Sequence, residues 1–306
     1  MLLTGTSRRK AENSMADQKK IAIFGGGTGL SVLLRGLKQQ PVDITAIVTV
    51  ADDGGSSGRL RDELKIPPPG DVRNVLAALS DVEPLVEDLF QHRFSKGGDL
   101  IGHSLGNLIL AAMTNITGDF FHAVTEMSKV LNVRGRVLPA ANTSVVLHAE
   151  MDDGQIISGE STIPSYGKRI KRVFLTPEKI EPVPETIDVI RGADLIILGP
   201  GSLYTSILPN LLVPKIREEI LNAPAKKVYI CNVMTQPGET LYYSAADHVK
   251  ALNQHMGGPF IDTILVNNED IPDDIRERYA KEQAQPVQFN IDDLSAMGLE
   301  VIKDQI

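Results

Sequence analysis

The sequence predicts an α/β fold: a Rossmann-like three-layer sandwich with a mostly parallel sheet and a small antiparallel insertion. Three observations predict it. Short apolar runs alternate with stretches of helical periodicity. The runs are nearly continuous in apolar character, as strands covered on both faces must be. Most of them end in a glycine-rich or polar turn, where an α/β sheet places its ligand loops.

The first run, Ile21-Ala22-Ile23-Phe24, breaks into Gly25-Gly26-Gly27-Thr28-Gly29, and leucines 30, 33, 34 and 37 follow at helical spacing. That is strand, tight turn, helix. Glycines let a ligand approach the backbone, and a helix start offers unpaired N–H groups and a positive dipole end. Together they favour an anion, commonly a phosphate. The dinucleotide fingerprint requires a third glycine three residues after the second. Counted from Gly25 and Gly27 that position is Leu30; counted from Gly27 and Gly29 it is Val32. No Gly-Lys-Ser/Thr follows, so the loop is not a P-loop. The plainer alternative is a turn that merely lets the helix pack on its strand. The loop therefore predicts a nucleotide or phosphorylated metabolite without selecting NAD.

The second run, residues 44–50, leads into Ala51-Asp52-Asp53-Gly54-Gly55. An acidic residue here can bind ribose hydroxyls, and paired carboxylates can hold Mg²⁺ shared with substrate phosphates. Asp152-Asp153-Gly154 has the same composition but sits between two alternating segments, where a hairpin turn accounts for it. Residues 54–61 read as a glycine- and serine-rich loop whose arginines either meet phosphate or are solvated. Pro67-Pro68-Pro69-Gly70-Asp71-Val72-Arg73-Asn74 forces a turn and opens a helix; Asp71 suits an N-cap, which leaves Arg73 and Asn74 unexplained. His103-Ser104-Leu105-Gly106-Asn107 opens another helix with Ser104 as its cap.

Helices are expected over residues 71–79, 105–113, 120–131, 187–193 and 244–256. Further strands are expected at 195–198, 228–231 and 264–266. The antiparallel insertion is expected at about 137–180, and edge strands at 287–289 and 299–302. Run 195–198 leads into Gly199-Pro200-Gly201-Ser202-Leu203-Tyr204, which repeats the logic of the first loop; Tyr204 either stacks on a ligand or packs in the core. Run 228–231 leads into Asn232 and Thr235-Gln236-Pro237-Gly238, and run 264–266 into Asn267-Asn268. All these loops fall at carboxyl ends of strands, so one crevice can collect them.

The 306 residues carry 42% hydrophobic and 23% charged residues, ordinary for a globular chain with a sizeable core. A net charge of −8 argues against broad contact with nucleic acid or an anionic membrane surface. The single cysteine, Cys231, excludes an intramolecular disulfide and fits a reducing cytoplasm; it reads as an inert core thiol. No apolar stretch is long enough to span a bilayer, and no signal-peptide core follows the basic N-terminus. Residues 1–18 read as a disordered extension before a single nucleotide-binding domain at 19–306, with Met15 an alternative start. No Cys/His zinc cluster, nucleophile elbow or His-Glu-x-x-His helix occurs. Residues 168–172 read as a solvated charged hairpin edge.

Six motifs then occur in a telling order: Gly-Gly-Gly-Thr-Gly-Leu, Ala-Asp-Asp-Gly-Gly-Ser-Ser-Gly, Pro-Pro-Gly-Asp-Val-Arg-Asn, His-Ser-Leu-Gly-Asn, Gly-Pro-Gly-Ser-Leu-Tyr-Thr-Ser and Met-Thr-Gln-Pro-Gly-Glu-Thr. From about residue 19 onward the chain closely resembles the bacterial gluconeogenesis factor family, the YvcK-like branch of the CofD-like superfamily. The resemblance implies a Rossmann-like fold, a cytoplasmic location, and a role in growth and cell shape on gluconeogenic carbon sources. It implies binding of UDP-sugars, notably UDP-N-acetylglucosamine, and protein partners in cell-wall synthesis; a homodimer is the common default for such proteins. The better-understood branch, 2-phospho-L-lactate transferase, is Mg²⁺-dependent and passes a phospholactyl group from a nucleotide diphosphate to a deazaflavin. Its acidic loop corresponds to Asp52 and Asp53, and its following acidic turn to Asp71. The chain departs from that branch at Val72-Arg73-Asn74 and over residues 56–61. The leading expectation is therefore a nucleotide-sugar-binding regulator, ahead of a Mg²⁺-dependent transferase and of an NAD-binding protein. The candidate ligand residues are Gly25, Gly26, Gly27, Thr28, Gly29, Asp52, Asp53, Asp71, Asn74, Asn107, Gly199, Gly201, Ser202, Tyr204 and Asn232, with Asp52 and Asp53 as candidate Mg²⁺ ligands.

Overall fold

The structure, a computed structural model, describes residues 18–82 and 84–305. The expected N-terminal extension lies, but for residue 18, outside the described residues. Seven strands form one sheet in the order β10-β9-β8-β7-β1-β2-β3: Glu300–Asp304, Thr263–Asn267, Lys226–Ile230, Leu195–Leu198, Lys19–Gly25, Val42–Val48 and Arg136–Pro139. Every pairing in it is parallel. β1 is central: the chain builds β2 and β3 on one side, then returns to build β7 to β10 on the other. Strand order thus reverses between β1 and β7, and a crevice opens there at the carboxyl ends.

Helices cover both faces, so inner strands are apolar along their length. In β1, Ala22, Ile23 and Phe24 are fully buried. Helix α1 (Gly27–Leu37) buries Leu30 and Leu34, one turn apart, and packs on α3 (Gly70–Leu79). Helices α5 (Leu105–Thr117) and α6 (Phe120–Val130) pair further out, each started by a side-chain cap, Ser104 and Asp119. On the other side α7 (Pro184–Gly192) packs against α9 (Pro214–Asn222), and α10 (Ala245–Met256) opens with a Ser244/Asp247 capping box. Among the described residues no helix is long and apolar enough to cross a membrane.

Four details differ from the sequence reading. β3 belongs to the parallel sheet, so the antiparallel unit spans only β4 (Val146–Met151), β5 (Ile156–Ser158) and β6 (Ile170–Thr176). Residues 54–61 are not a loop: Gly55–Leu64 is helix α2, with Ser56, Ser57 and Leu60 buried. Its low apolar content hid it. Residues 287–289 form no strand; the C-terminal edge is β10 alone, its exposed Glu300, Lys303 and Asp304 blunting that edge. Asp71 is not a cap: α3 starts at Gly70, and Asp71 lies inside its first turn.

Because Phe24 is sealed under the switch point, Phe24→Ala should cost about 3–5 kcal/mol. Urea unfolding monitored by circular dichroism is expected to show a lower midpoint at unchanged slope. An unmoved midpoint would contradict the burial described here.

Candidate functional site

The glycine turn after β1 and the turn after β7 abut. A Cβ on Gly29 would stand 3.5 Å from the Pro200 backbone, and one on Gly201 would stand 3.3 Å from the Gly26 carbonyl oxygen. Gly27 (φ 67°) and Gly199 (φ 86°) occupy the left-handed region that side chains avoid. Gly26 has no room for a side chain: a Cβ would run into the Asp71 carboxylate and come within 2.9 Å of the Thr49 methyl. Buried Asn210, in the short helix α8 (Leu208–Leu211), fastens the two turns together. Its amide donates to the Gly25 carbonyl at 3.2 Å and to the Ser206 carbonyl at 2.8 Å.

A second layer supports the β7 turn. Glu239, buried, accepts the Tyr204 N–H at 3.1 Å and the Thr205 hydroxyl at 2.9 Å. Gln236 donates to the Ser202 hydroxyl at 2.7 Å. Burial lifts the Glu239 carboxyl to about 7, against the lowering effect of the Thr205 and Tyr204 hydrogen bonds.

Above these turns lies a cleft of about 760 Å³, within the range of small-molecule sites. Gly26, Gly27, Thr28, Gly29, Asp52, Asp71, Gly201, Ser202 and Asn232 of the predicted residues line it. Gly25 and Gly199 sit behind the wall, closing the turns. Four other candidates are engaged elsewhere. The Asp53 carboxylate accepts the Ser161 N–H at 2.9 Å, tying the acidic loop to the insertion. Asn74 accepts from Arg73 at 2.7 Å. Buried Asn107 donates to Ser56 at 3.1 Å, and Ser56 meets His103 Nδ1 at 2.9 Å. Tyr204 is packed in the core, its hydroxyl 2.9 Å from that of Tyr243. The packed alternative for Tyr204 is the one realised.

Three cleft-side residues had no sequence signal of their own. Glu160 reaches the cleft from the insertion, which sequence spacing could not place there. Asn210 was readable only as a polar residue inside the apolar run Leu208-Pro209-Asn210-Leu211-Leu212. Glu239 lies within the motif Met-Thr-Gln-Pro-Gly-Glu-Thr, whose pattern alone assigns it no role.

One side of the cleft is acidic. Burial first, then the nearby Asp52 charge, raise Asp71 to about 7, against a hydrogen bond from the Gly27 N–H that lowers it. Burial, then Asp52, Asp71, Glu239 and Asp53, raise Glu160 to about 8. None of the described residues lining the cleft is Lys or Arg. Asp52 Oδ1 accepts the Gly54 N–H at 2.8 Å, which fixes its carboxylate at the loop. Among the described residues no group of three or more His, Cys, Asp or Glu is arranged to hold a metal by itself. A Mg²⁺ ion needs only one or two carboxylates when phosphates complete its shell, and Asp52 with Asp71 suits that donor set. Cys231 also borders the cleft, but burial pushes its thiol up to about 12, so it stays unreactive.

The profile of the family described as 2-phospho-L-lactate transferase CofD matches residues 21–306. The gluconeogenesis factor of Bacillus subtilis (strain 168) is 84% identical over 292 residues, covering 95% of this chain and 92% of that protein. That of Halalkalibacterium halodurans is 64% identical over 287 residues, covering 94% and 89%. A crystal structure of a Bacillus halodurans protein superposes with a TM-score of 0.93 at 64% identity, covering 94% of this chain and 93% of that one. The fold and its turns thus define a CofD-type α/β protein. The chain belongs to the CofD family and, within it, to the gluconeogenesis factors.

Unfolded aspartate loses its proton near pH 4, whereas folded Asp71 keeps its proton to about pH 7. The native state then binds more protons across that window, so stability falls as pH rises through it. Asp71→Asn preserves an acceptor for Gly27 and removes the charge. Without divalent cations its melting temperature should exceed the parent's at pH 8 and converge with it near pH 4. Parallel melting curves across this range would refute the assignment.

Proposed function

We propose that the cleft binds a nucleotide-sugar of the UDP-N-acetylglucosamine type and that the protein regulates carbon metabolism, cell-wall synthesis and cell shape through that binding. The observation that carries the reading is the abutment of two glycine turns at the switch point, one opening a helix. Their backbone forms a side-chain-free floor for a diphosphate, and the α1 N-terminus adds N–H donors and a positive dipole end. Since no Lys or Arg is among the described residues lining the cleft, the remaining phosphate charge calls for a divalent cation. Asp52 and Asp71 would hold it, and the cation would neutralise the charge between carboxylates and phosphates. Hydroxyl groups of a sugar suit the acidic side, because carboxylates accept from them. A cytoplasmic location, a homodimer and protein partners in cell-wall synthesis belong to the same proposal.

A second reading is a Mg²⁺-dependent transferase acting on a nucleotide diphosphate. Asp71 favours it: a carboxyl lifted to about 7 beside a phosphate floor is tuned for proton transfer near neutrality. NAD is a third candidate for the same crevice.

Calorimetry with UDP-N-acetylglucosamine, UDP-glucose, GDP and NAD, each with and without Mg²⁺, tests these readings. UDP-N-acetylglucosamine should bind in micromolar range or tighter, more weakly after chelation with EDTA, and NAD should compete if it shares the cleft. Gly27→Ala forces a side chain into the left-handed region at a cost of about 1–2 kcal/mol. It should weaken binding about tenfold or more. Absence of binding by all four ligands would remove the proposal; Mg²⁺-dependent consumption of any of them would favour the transferase.

A further inference from the structure

Beyond the main cleft, a second cavity of about 440 Å³ lies at the carboxyl ends of β8 and β9. The two share a wall made of Cys231, Asn232 and Val233. On that wall the Asn232 side-chain oxygen is shielded from solvent and has no hydrogen-bond partner, while its amide faces Gln236 at 3.4 Å. A buried acceptor left unmet costs free energy, so such an atom marks where a donor arrives. The far side of the cavity combines apolar Val287 and Phe289 with polar Glu269, Asp270 and Arg276. Apolar surface with polar groups at the edge suits a flat heteroaromatic ring that carries N–H and carbonyl groups.

The sheet sets the distance. The glycine turns flank the β1/β7 boundary, and the second cavity flanks the β8/β9 boundary. Two strand spacings separate them, about 10 Å. That is the reach of a nucleoside from its 5′ phosphate to the far edge of its base. The acidic side of the main cleft lies the other way, toward β2.

We infer that a nucleoside diphosphate lies along the carboxyl edge of the sheet, its phosphates on the glycine turns and its base in the second cavity, with Asn232 accepting a base N–H. The inference rests on the nucleotide reading above and deepens it: the ligand runs base at β8/β9, diphosphate at β1/β7, sugar toward Asp52, Asp71 and Glu160. Asn232 is then a specificity-determining residue, and a base with an N–H at the matching edge is preferred over one without it.

Crystals soaked with uridine diphosphate and Mg²⁺ test the placement directly. Ring density in the cavity bordered by Asn232 and Phe289 is the expected result. Phosphate density on the glycine turns with the ring toward Asp52 overturns this inference and leaves the nucleotide reading intact. Failure of uridine diphosphate to bind at the glycine turns removes both. In solution, Asn232→Ala and Phe289→Ala should each lower affinity for uridine diphosphate about tenfold more than for pyrophosphate, with melting temperature confirming the fold. Equal losses for the two probes would also overturn the base assignment.

Discussion

The contact between two glycine turns is the constraint on which the rest of the site depends. Parallel strands β1 and β7 are neighbours in space but far apart in sequence, and their following turns meet where Gly201 carries no side chain to crowd the Gly26 carbonyl. Asn210 spans the seam, bonding to backbone on both sides of it, and Glu239 and Gln236 hold the second turn from below. The Asn210 amide N–H groups and both Glu239 carboxylate oxygens are committed to these contacts. A floor fixed this way is preorganised, so the proposed ligand would not have to order it on binding.

The acidic side follows a different logic. Asp71, Glu160 and Glu239 are raised chiefly by burial, Asp71 and Glu160 also by neighbouring carboxylates; Arg73 partly offsets Asp71, and none of the described residues lining the cleft is Lys or Arg. Such an arrangement costs folding free energy near neutral pH, and structures retain local costs of this kind at functional sites. Glu239 spends its carboxylate on backbone and hydroxyl donors inside the protein. Asp71 has one internal donor, the Gly27 N–H. That single bond couples the charge state of Asp71 to the glycine turn after β1.

Much of this was legible in the sequence, for identifiable reasons. Strand-turn-helix at residues 21–37 is a local signal, and both glycine turns were readable because backbone approach demands glycine in chain order. The crevice was readable because carboxyl-end loops of a parallel sheet converge by topology. What failed to show was anything set by tertiary contact. Asp52 and Asp53 are adjacent and chemically identical, yet only Asp52 lines the cleft, since Asp53 is taken by the Ser161 N–H more than one hundred residues away. Helix α2 is hidden because its buried face is built from two serines, a glycine and a single leucine. Tyr204 shares a motif with the cleft-lining Ser202 but points to Tyr243, a partner in a distant segment.

The insertion completes the cleft and is not an appendage. It meets the acidic loop and the loop after β8 through glycine: a Cβ on Gly159 (φ 103°) would come within 2.6 Å of the Asp53 carboxylate, and one on Gly238 would collide with the Pro164 backbone. At Gly238 backbone packs on backbone, which leaves no flexible side chain there to take up movement. The Asp53–Ser161 hydrogen bond closes the same seam from the acidic side, one residue from Glu160. Glu160 is therefore held over the cleft, and the acidic side owes its form to two segments distant in sequence that share one hydrophobic core. A ligand placed as proposed, across the glycine turns and this wall, would contact both segments at once.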